Sequence, residues 1–386
     1  MKYGVIVYKE TDNIGDDILS YAEERYLPQI DYVLDRENLD TFCPEDEHKV
    51  AAIVNGWFLF AKDHWPPSPY ITPLFIGIHF TNDASRGIKD SYLDGLGRRY
   101  FLEHAPIGCR DASSLEKMQK RNIPAYFSGC VTMTLSAFEN IEKDEKILVV
   151  DVPNAVKERM MELFGKENVY EVTHYIPVSE RGKSWSQRRI TVENILKNYQ
   201  KAKYVVTTRL HCALPCLALG TNVTLLEENN PDCIERKGTF GIYLDYCSVE
   251  SFLKRKNLPE LDLKKKNMFL EKRNEIISKC KGFIQSCEMN DGDMTLPDYK
   301  TFKMYCNEKI EWQRKLVENE ILYVNKKQYT ELIEAKHWIE QQLDYKNQRI
   351  LELEQWTKEL EKAEAFKDDR IAKMEMWIKE LEKGKG

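Results

Sequence analysis

Six short apolar runs punctuate the first 230 residues: GVIVY (4–8), KVAAIV (49–54), PLFIGI (73–78), KILVV (146–150), KYVVTT (203–208) and NVTLL (222–226). None of them alternates with polar residues, so each predicts a strand buried on both faces. Between them lie DILSYAEERYL, SSLEKMQKR, AVKERMMELF, ITVENILKNYQ and RLHCALPCLALG, whose apolar residues recur at i, i+3 and i+4, the period of an amphipathic helix. Strands alternating with helices predict parallel sheets covered on both faces. Two such series predict an α/β chain of two doubly wound, Rossmann-like domains facing one another, over residues 1–140 and 141–290.

The pattern changes after about residue 310. Gly and Pro vanish until the very end, and charged helix formers dominate. Arg349, Ile350, Leu353, Trp356 and Leu360 recur three heptads later as Arg370, Ile371, Met374, Trp377 and Leu381. Such a repeat predicts a long helix or coiled coil in a tail spanning 291–386. The helix either lies back on the globular body or self-associates. A stripe this long needs a continuous apolar partner, which favours a homo-oligomer.

Composition narrows the function. The chain has 386 residues, 42% hydrophobic and 11% aromatic, enough for ordinary cores, and its formal net charge of -6 argues against a nucleic-acid partner. The opening MKYGVIVYKE is too short an apolar stretch for a secretory leader, and no run approaches the ~20 apolar residues of a spanning helix. The expectation is a soluble, cytoplasmic protein. Its ten cysteines show no CxxC pairing, and several sit in apolar segments, as reduced core residues do. Neither Cys212 with Cys216 nor the scattered histidines have metal-site spacing, so no metal and no cofactor is expected. Between Ser251 and Asn290, ten Lys or Arg stand against five Asp or Glu, which reads as a solvated helix face or, less readily, a contact with anionic lipid or a diphosphate carrier.

In open parallel sheets, ligands bind at the carboxyl ends of the strands. The polar residues following the strands are Asn13-Ile14-Gly15-Asp16-Asp17, Asn55-Gly56-Trp57, Arg110-Asp111, Ser128-Gly129-Cys130 and Arg209-Leu210-His211. Thr207 or Thr208 is placed to cap a helix ending at Gly220, which sets Arg209 and His211 at its first turn, where unpaired N–H groups favour an anion. Arg209 offers a planar fork for phosphate or carboxylate, and His211 can pass a proton near neutral pH. Equally, Arg209 can be paired with an acidic neighbour and His211 semi-buried. Arg110 either binds an anion or is locked by Asp111. The acidic Asn13–Asp17 loop suits sugar hydroxyls better than phosphate, or else only caps a helix. Trp57 can stack a sugar ring or belong to the core.

Four landmarks, NIGDDILSYAEERYLP, the strand-end NGW, PIGCRDASSLEKMQKRNIPAYFSGCVTMTL and KYVVTTRLHCALPCLALGTNV, occur in an order and spacing that resembles the polysaccharide pyruvyl transferase family from Tyr3 to about Leu244. The resemblance implies a fold similar to two-domain GT-B glycosyltransferases, with phosphoenolpyruvate in the interdomain cleft. It implies His211 as general acid or base, and donor binding by Arg209, Leu210 and Arg110, with Ser128 beside them. Asn13, Gly15, Asp16, Asp17, Asn55 and Trp57 fall on the acceptor side. The product is a cyclic pyruvate ketal on a sugar acceptor of surface polysaccharide biosynthesis, expected to be lipid-linked and reached by peripheral membrane contact. Relatives carry a glycine-rich turn where Asn55-Gly56-Trp57 stands, and Asp-Pro where Ser128-Gly129-Cys130 stands. Two other functions compete: a nucleotide-sugar glycosyltransferase on the same plan, with Glu227 or Glu228 holding the ribose, and a coiled-coil assembly protein for glycan enzymes.

Overall fold

The computed structural model describes residues 1–45, 48–57, 64–80, 90–228, 237–290, 299–322 and 326–383. The first sheet holds six strands: β1 (Lys2–Val7), β2 (Tyr32–Asp35), β3 (Val50–Trp57), β4 (Ile71–His79), β5 (Ile107–Cys109) and β6 (Ala125–Phe127). They lie in the order β2-β1-β3-β4-β5-β6, every pair parallel. The second holds β7 (Ile147–Val150), β8 (Val169–Val172), β9 (Tyr204–Thr207), β10 (Asn222–Glu227) and β11 (Asp245–Ser248), ordered β11-β10-β9-β7-β8, again all parallel. All six apolar runs of the sequence are strands here. Their unbroken burial (β7 and β9 throughout, β3 until its last residue) explains why they carry no alternation.

Helices join the strands: α1 (Ile14–Glu24), α2 (Gly95–Glu103), α3 (Ala112–Gln119), α4 (Asn154–Phe164), α5 (Val178–Arg181), α6 (Trp185–Lys201) and α7 (Leu210–Ala218). Their starts follow from the capping residues. Asn13 Oδ1 accepts from the Gly15 N–H at 3.0 Å, Asp111 Oδ1 from the Ser114 N–H at 2.9 Å, and Gln187 Oε1 from the Ser184 N–H at 3.1 Å. Asp16 and Asp17 then sit in the first turn of α1, where negative charge suits the helix dipole.

One apolar core spans both sheets. Val5, Ile18 and Leu19 from the first half share it with Val150, Leu196 and Leu214 from the second. Helix α6 is also stitched to α1 by polar contacts. Arg188 forms a buried ion pair with Asp17, its Nε 2.9 Å from Oδ2, and donates to the Tyr8 carbonyl at 2.8 Å. Trp185 Nε1 donates to Glu24 at 2.7 Å.

The helix Leu263–Met289 carries much of the basic stretch, and half of that stretch is turned inward. Lys265 Nζ donates to the Gly241 and Leu244 carbonyls at 2.8 Å, Lys272 to the Phe127 carbonyl at 3.1 Å, and Arg273 to the Ala218 carbonyl at 3.1 Å, while Arg255 pairs with Asp245. These cations therefore hold the body together. Of the ten, Lys254, Lys256, Lys264, Lys266 and Lys281 remain exposed.

The compact body runs from Met1 to Trp312, and Gln313–Gly386 forms a second unit. Residues just before that limit pack on the first half: Phe302 stacks on Tyr70 at 4.9 Å, and Lys309 pairs with Asp40 at 2.6 Å. The second unit is dominated by a 58-residue helix, Lys326–Lys383. Along it Ile350, Leu353, Trp356, Leu360, Ile371 and Met374 are exposed. The side chains of Trp377 and Leu381 lie outside the described residues. Among those described, no helix is long and apolar enough to cross a membrane.

Candidate active site

Arg110 follows β5 directly, and its N–H extends the sheet by donating to the Ile78 carbonyl at 2.8 Å. The side chain is almost wholly buried, at 2% exposure. Its neighbour Asp111 does not lock it. Asp111 caps α3 and takes the Nδ1 of His79 at 2.6 Å. Burial pushes the Asp111 carboxyl up, but His79, Arg110 and the Ser114 N–H outweigh it and hold it at about 2. Arg110 instead reaches across to the other half, where Nη1 donates to His211 Nε2 at 3.2 Å. A guanidinium can only donate, so Nε2 is the accepting nitrogen and the imidazole proton sits on Nδ1.

His211 stands in the first turn of α7, two residues after its N-cap, Arg209. The Arg209 N–H bonds Thr207 Oγ1 at 2.9 Å, and its carbonyl accepts from Cys212 and Ala213, both at 3.0 Å, which sets the start of the helix. The Arg209 side chain is 42% exposed and its Nε donates to Asp151 Oδ2 at 2.7 Å. Among the described residues its two Nη groups make no hydrogen bond. Leu210, between them, is buried in the shared core.

The N-terminal loop completes the group. A Cβ on Gly15 would lie 3.1 Å from His211 Cβ, 3.2 Å from His211 Nδ1 and 3.0 Å from Asn13 Oδ1. Glycine thus lets the loop approach the ring without a side chain of its own against Nδ1. The loop is held by the segment after β8: Ile14 N–H donates to the His174 carbonyl at 2.8 Å, and Ile176 N–H to the Asp12 carbonyl at 2.6 Å. Asp16 stays half-buried at the loop, taking the Thr11 hydroxyl at 2.6 Å.

The remaining sequence candidates are placed elsewhere. Asp17 turns into the body and is engaged by Arg188; burial raises its carboxyl to about 6 although the arginine pulls it down. Ser128 is 1% exposed. Its hydroxyl accepts from the Gly77 N–H at 2.8 Å and lies 3.1 Å from the Cys109 and Gly129 carbonyls, a bond network that ties strand ends together instead of facing a ligand. Asn55 is fully buried and its carbonyl accepts from Tyr8 at 2.8 Å. Trp57 is half-buried, with its ring edge-on to His79 at 5.6 Å. Glu228 is paired with the buried Lys237. The described cysteines are free thiols, and Cys233 lies outside the described residues.

Three residues with roles here were not among the strand-end candidates. Asp151 holds Arg209. His174, fully buried with Nε2 2.6 Å from the Tyr199 hydroxyl, carries the bond to the N-terminal loop. Arg36 follows β2, lies over the Tyr8 ring at 4.5 Å and donates to the Trp57 carbonyl at 3.0 Å. Two of them had a strand-end signal: Asp151 directly follows the run KILVV, and Arg36 follows a run only three residues long.

Two parallel α/β sheets whose carboxyl edges share one arginine–histidine site define the class of protein. More narrowly, the chain belongs to the polysaccharide pyruvyl transferase family, which matches residues 13–230, more than half of its length. Solved structures similar to it include an uncharacterised protein from Klebsiella pneumoniae, 12% identical over 61% of this chain and 86% of that one, with a TM-score of 0.35. A UDP-N-acetylglucosamine 2-epimerase is 14% identical over 77% and 99%, with a TM-score of 0.39. The glycosyltransferase SnogD from Streptomyces nogalater is 10% identical over 58% and 57%, with a TM-score of 0.26. None of the curated proteins matches the chain.

Proposed function

We propose that the protein transfers the pyruvyl group of phosphoenolpyruvate to a sugar and closes it into a cyclic ketal. Membership of the family supports the pyruvyl transfer, and the observation that carries the site is the contact of Arg110 with His211 beside Arg209. A donor bearing a phosphate and a carboxylate calls for convergent guanidinium groups, and Arg110 and Arg209 supply one from each half. In its imidazolium form, with Arg110 turned to the donor, His211 gives a proton to the methylene carbon of the enol, leaving a neutral imidazole and an oxocarbenium-like centre at the adjacent carbon. A sugar hydroxyl attacks that centre and returns a proton to the imidazole. The C–O bond to phosphate then breaks, and a second hydroxyl closes the ring, its proton passing to the departing phosphate. One titratable group serves both directions of proton transfer. In this reading the halves act as GT-B-like domains meeting near residue 140, with the Asn13–Asp16 loop on the acceptor side. The acceptor is a sugar of a growing glycan, carried on a lipid.

Calorimetric titration of phosphoenolpyruvate into the wild type and into Arg209→Ala tests this, with a panel of nucleotide sugars alongside. Removal of one charge-assisted contact weakens binding by roughly tenfold to a hundredfold. Saturable binding that Arg209→Ala lowers by that factor is the expected result. No binding of phosphoenolpyruvate, together with a clear signal from one nucleotide sugar, would replace the proposal with a glycosyltransferase.

A further inference from the structure

Asp151 lies at the carboxyl end of β7, one residue past the strand, in the left-handed region with φ of 51°. Outside glycine that conformation is uncommon, with Asn and Asp its usual exceptions. The turn aims a single carboxylate oxygen, Oδ2, at two donors. It takes Arg209 Nε at 2.7 Å and the His174 N–H at 3.0 Å. The Asp151 carbonyl takes the Thr208 hydroxyl at 2.7 Å, so the side chains of Arg209 and of the residue before it are both fastened to one residue. From His174 the connection runs on, since its carbonyl accepts the Ile14 N–H next to Gly15.

The geometry points to Asp151 as a positioning residue for the donor anion, a role that rests on reading Arg209 as the group that binds it. Asp151 occupies the Nε side of the guanidinium. What Arg209 can then offer a ligand is the Nη1–Nη2 end, a two-pronged face that matches two oxygens of a phosphate or carboxylate. A long side chain 42% exposed would otherwise sample many rotamers, and the clasp removes that freedom before the ligand arrives. The same oxygen, through His174, keeps the Asn13–Gly15 loop in register with the anion site, so the donor fork and the loop beside His211 move as one piece.

Two substitutions separate this role from plain stability. Asp151→Gly keeps the left-handed backbone without strain and removes the acceptor. Asp151→Asn also tolerates that backbone and keeps one oxygen for both donors, losing only the charge. Phosphoenolpyruvate would be titrated into the wild type, both variants, Arg209→Met and the Arg209→Met/Asp151→Gly pair. Exchange of the Arg209 Nε–H would be followed by NMR without ligand. Because fixing one rotamer-rich side chain accounts for up to about tenfold in affinity, Asp151→Gly is expected to weaken binding by about that factor. Asp151→Asn should stay within about threefold, and Asp151→Gly should add nothing once Arg209 is methionine. The Nε–H should exchange slowly in the wild type and fast in Asp151→Gly. Tighter or unchanged binding by Asp151→Gly, a loss that persists in the Arg209→Met background, or equal exchange in wild type and variant would each overturn the proposal. Absence of phosphoenolpyruvate binding in the wild type would instead sink the donor reading, while the exchange experiment still decides whether Asp151 orders Arg209.

Discussion

Arg110 and His211 are 101 residues apart in the chain and 3.2 Å apart in the structure. The first ends a strand of one sheet, the second opens a helix of the other, and the bond between them crosses the seam where the two halves share a core. A guanidinium carries five N–H donors, so in the proposed reading Arg110 orients the imidazole through one and binds the donor anion through others. Arg110→Lys keeps the charge but loses the planar fork. Its expected effect is a roughly tenfold to hundredfold loss in phosphoenolpyruvate affinity, given the worth of a charge-assisted hydrogen bond, with a melting temperature close to wild type. Affinity within a factor of two of wild type would remove Arg110 from the donor site.

Gly15 offers a test of the loop independent of charge. A methyl group there would stand 3.0–3.2 Å from Asn13 Oδ1 and His211, tighter than comfortable packing allows. Gly15→Ala is therefore expected to displace the ring or the loop and to lower kcat more than it raises KM for the donor. The backbone at Gly15 is an ordinary first helical turn, where alanine is favoured over glycine, so the fold itself should not suffer. Steady-state kinetics with both substrates and a thermal melt check this. A variant with wild-type turnover would show that the loop gives way without consequence.

How much of this was legible beforehand follows from where each group gets its partners. The central strands declared themselves because parallel strands covered on both faces need unbroken apolar runs. β2 and β8 did not, because Val33 is 48% exposed and Tyr170 43%, and edge strands need no such run. Arg110, Arg209 and His211 were legible because they follow apolar strands, and the topology alone carries such positions to one edge. Their partners were not. Asp151 follows the run KILVV directly, yet which group it serves shows only once the left-handed turn aims it at Arg209, and His174 works partly through its backbone, on which its side-chain type is silent. Asp17 and Ser128 also come after strands, but position after a strand does not say which of two neighbours turns outward. Asp17 was drawn inward by Arg188, 171 residues away.

That pairing predicts a large stability effect. Arg188 and Asp17 are 6% and 2% exposed, and Arg188 also bonds the Tyr8 carbonyl, so removal of the cation leaves a buried carboxylate and a carbonyl without it. Breaking a buried pair from one side costs about 3–5 kcal/mol. Arg188→Met is expected to lower unfolding stability by that order in denaturant titration at pH 7. The loss should shrink toward pH 5, because Asp17, raised to about 6, then takes up a proton and no longer needs its partner. A loss that stays the same from pH 5 to pH 7 would show that the ion pair is not the source.

Glu23 gives the opposite kind of test, a charge that is better absent. It is 1% exposed in α1, and neither carboxylate oxygen has a hydrogen bond of ordinary geometry. Burial pushes its carboxyl well above the usual range; the Cys130 thiol adds to this, and the Asn55 backbone offsets only part. With the folded value above the unfolded one, the folded state binds the extra proton between the two. Stability is therefore fullest below the unfolded value near 4.5 and falls as pH rises through the window toward the folded value. Glu23→Gln is isosteric and cannot ionise. Chemical denaturation at intervals from pH 4.5 to pH 8 should show the variant gaining on the wild type as pH rises, with the two closest at the acid end. Parallel curves across that range would mean that Glu23 is ionised in the folded chain.

The helix Lys326–Lys383 carries the last expectation. Leu353, Trp356 and Leu360 are 49%, 67% and 59% exposed, and Ile371 and Met374 continue the stripe three heptads on from Ile350 and Leu353. A repeat at a multiple of seven keeps one face apolar over a length that a single contact with a globular surface would not require, which favours a second copy of the same helix. The full-length wild type is then expected to sediment as more than one chain. Leu353→Asp with Trp356→Asp should reduce it to a monomer, since two charges on the seam would be left without partners. The residues proposed for the site, Arg110, Arg209 and His211, precede this helix in the chain, so phosphoenolpyruvate affinity should be unaffected by the change. A wild type that is already monomeric at high micromolar concentration would discard self-association and leave the stripe to some other apolar partner.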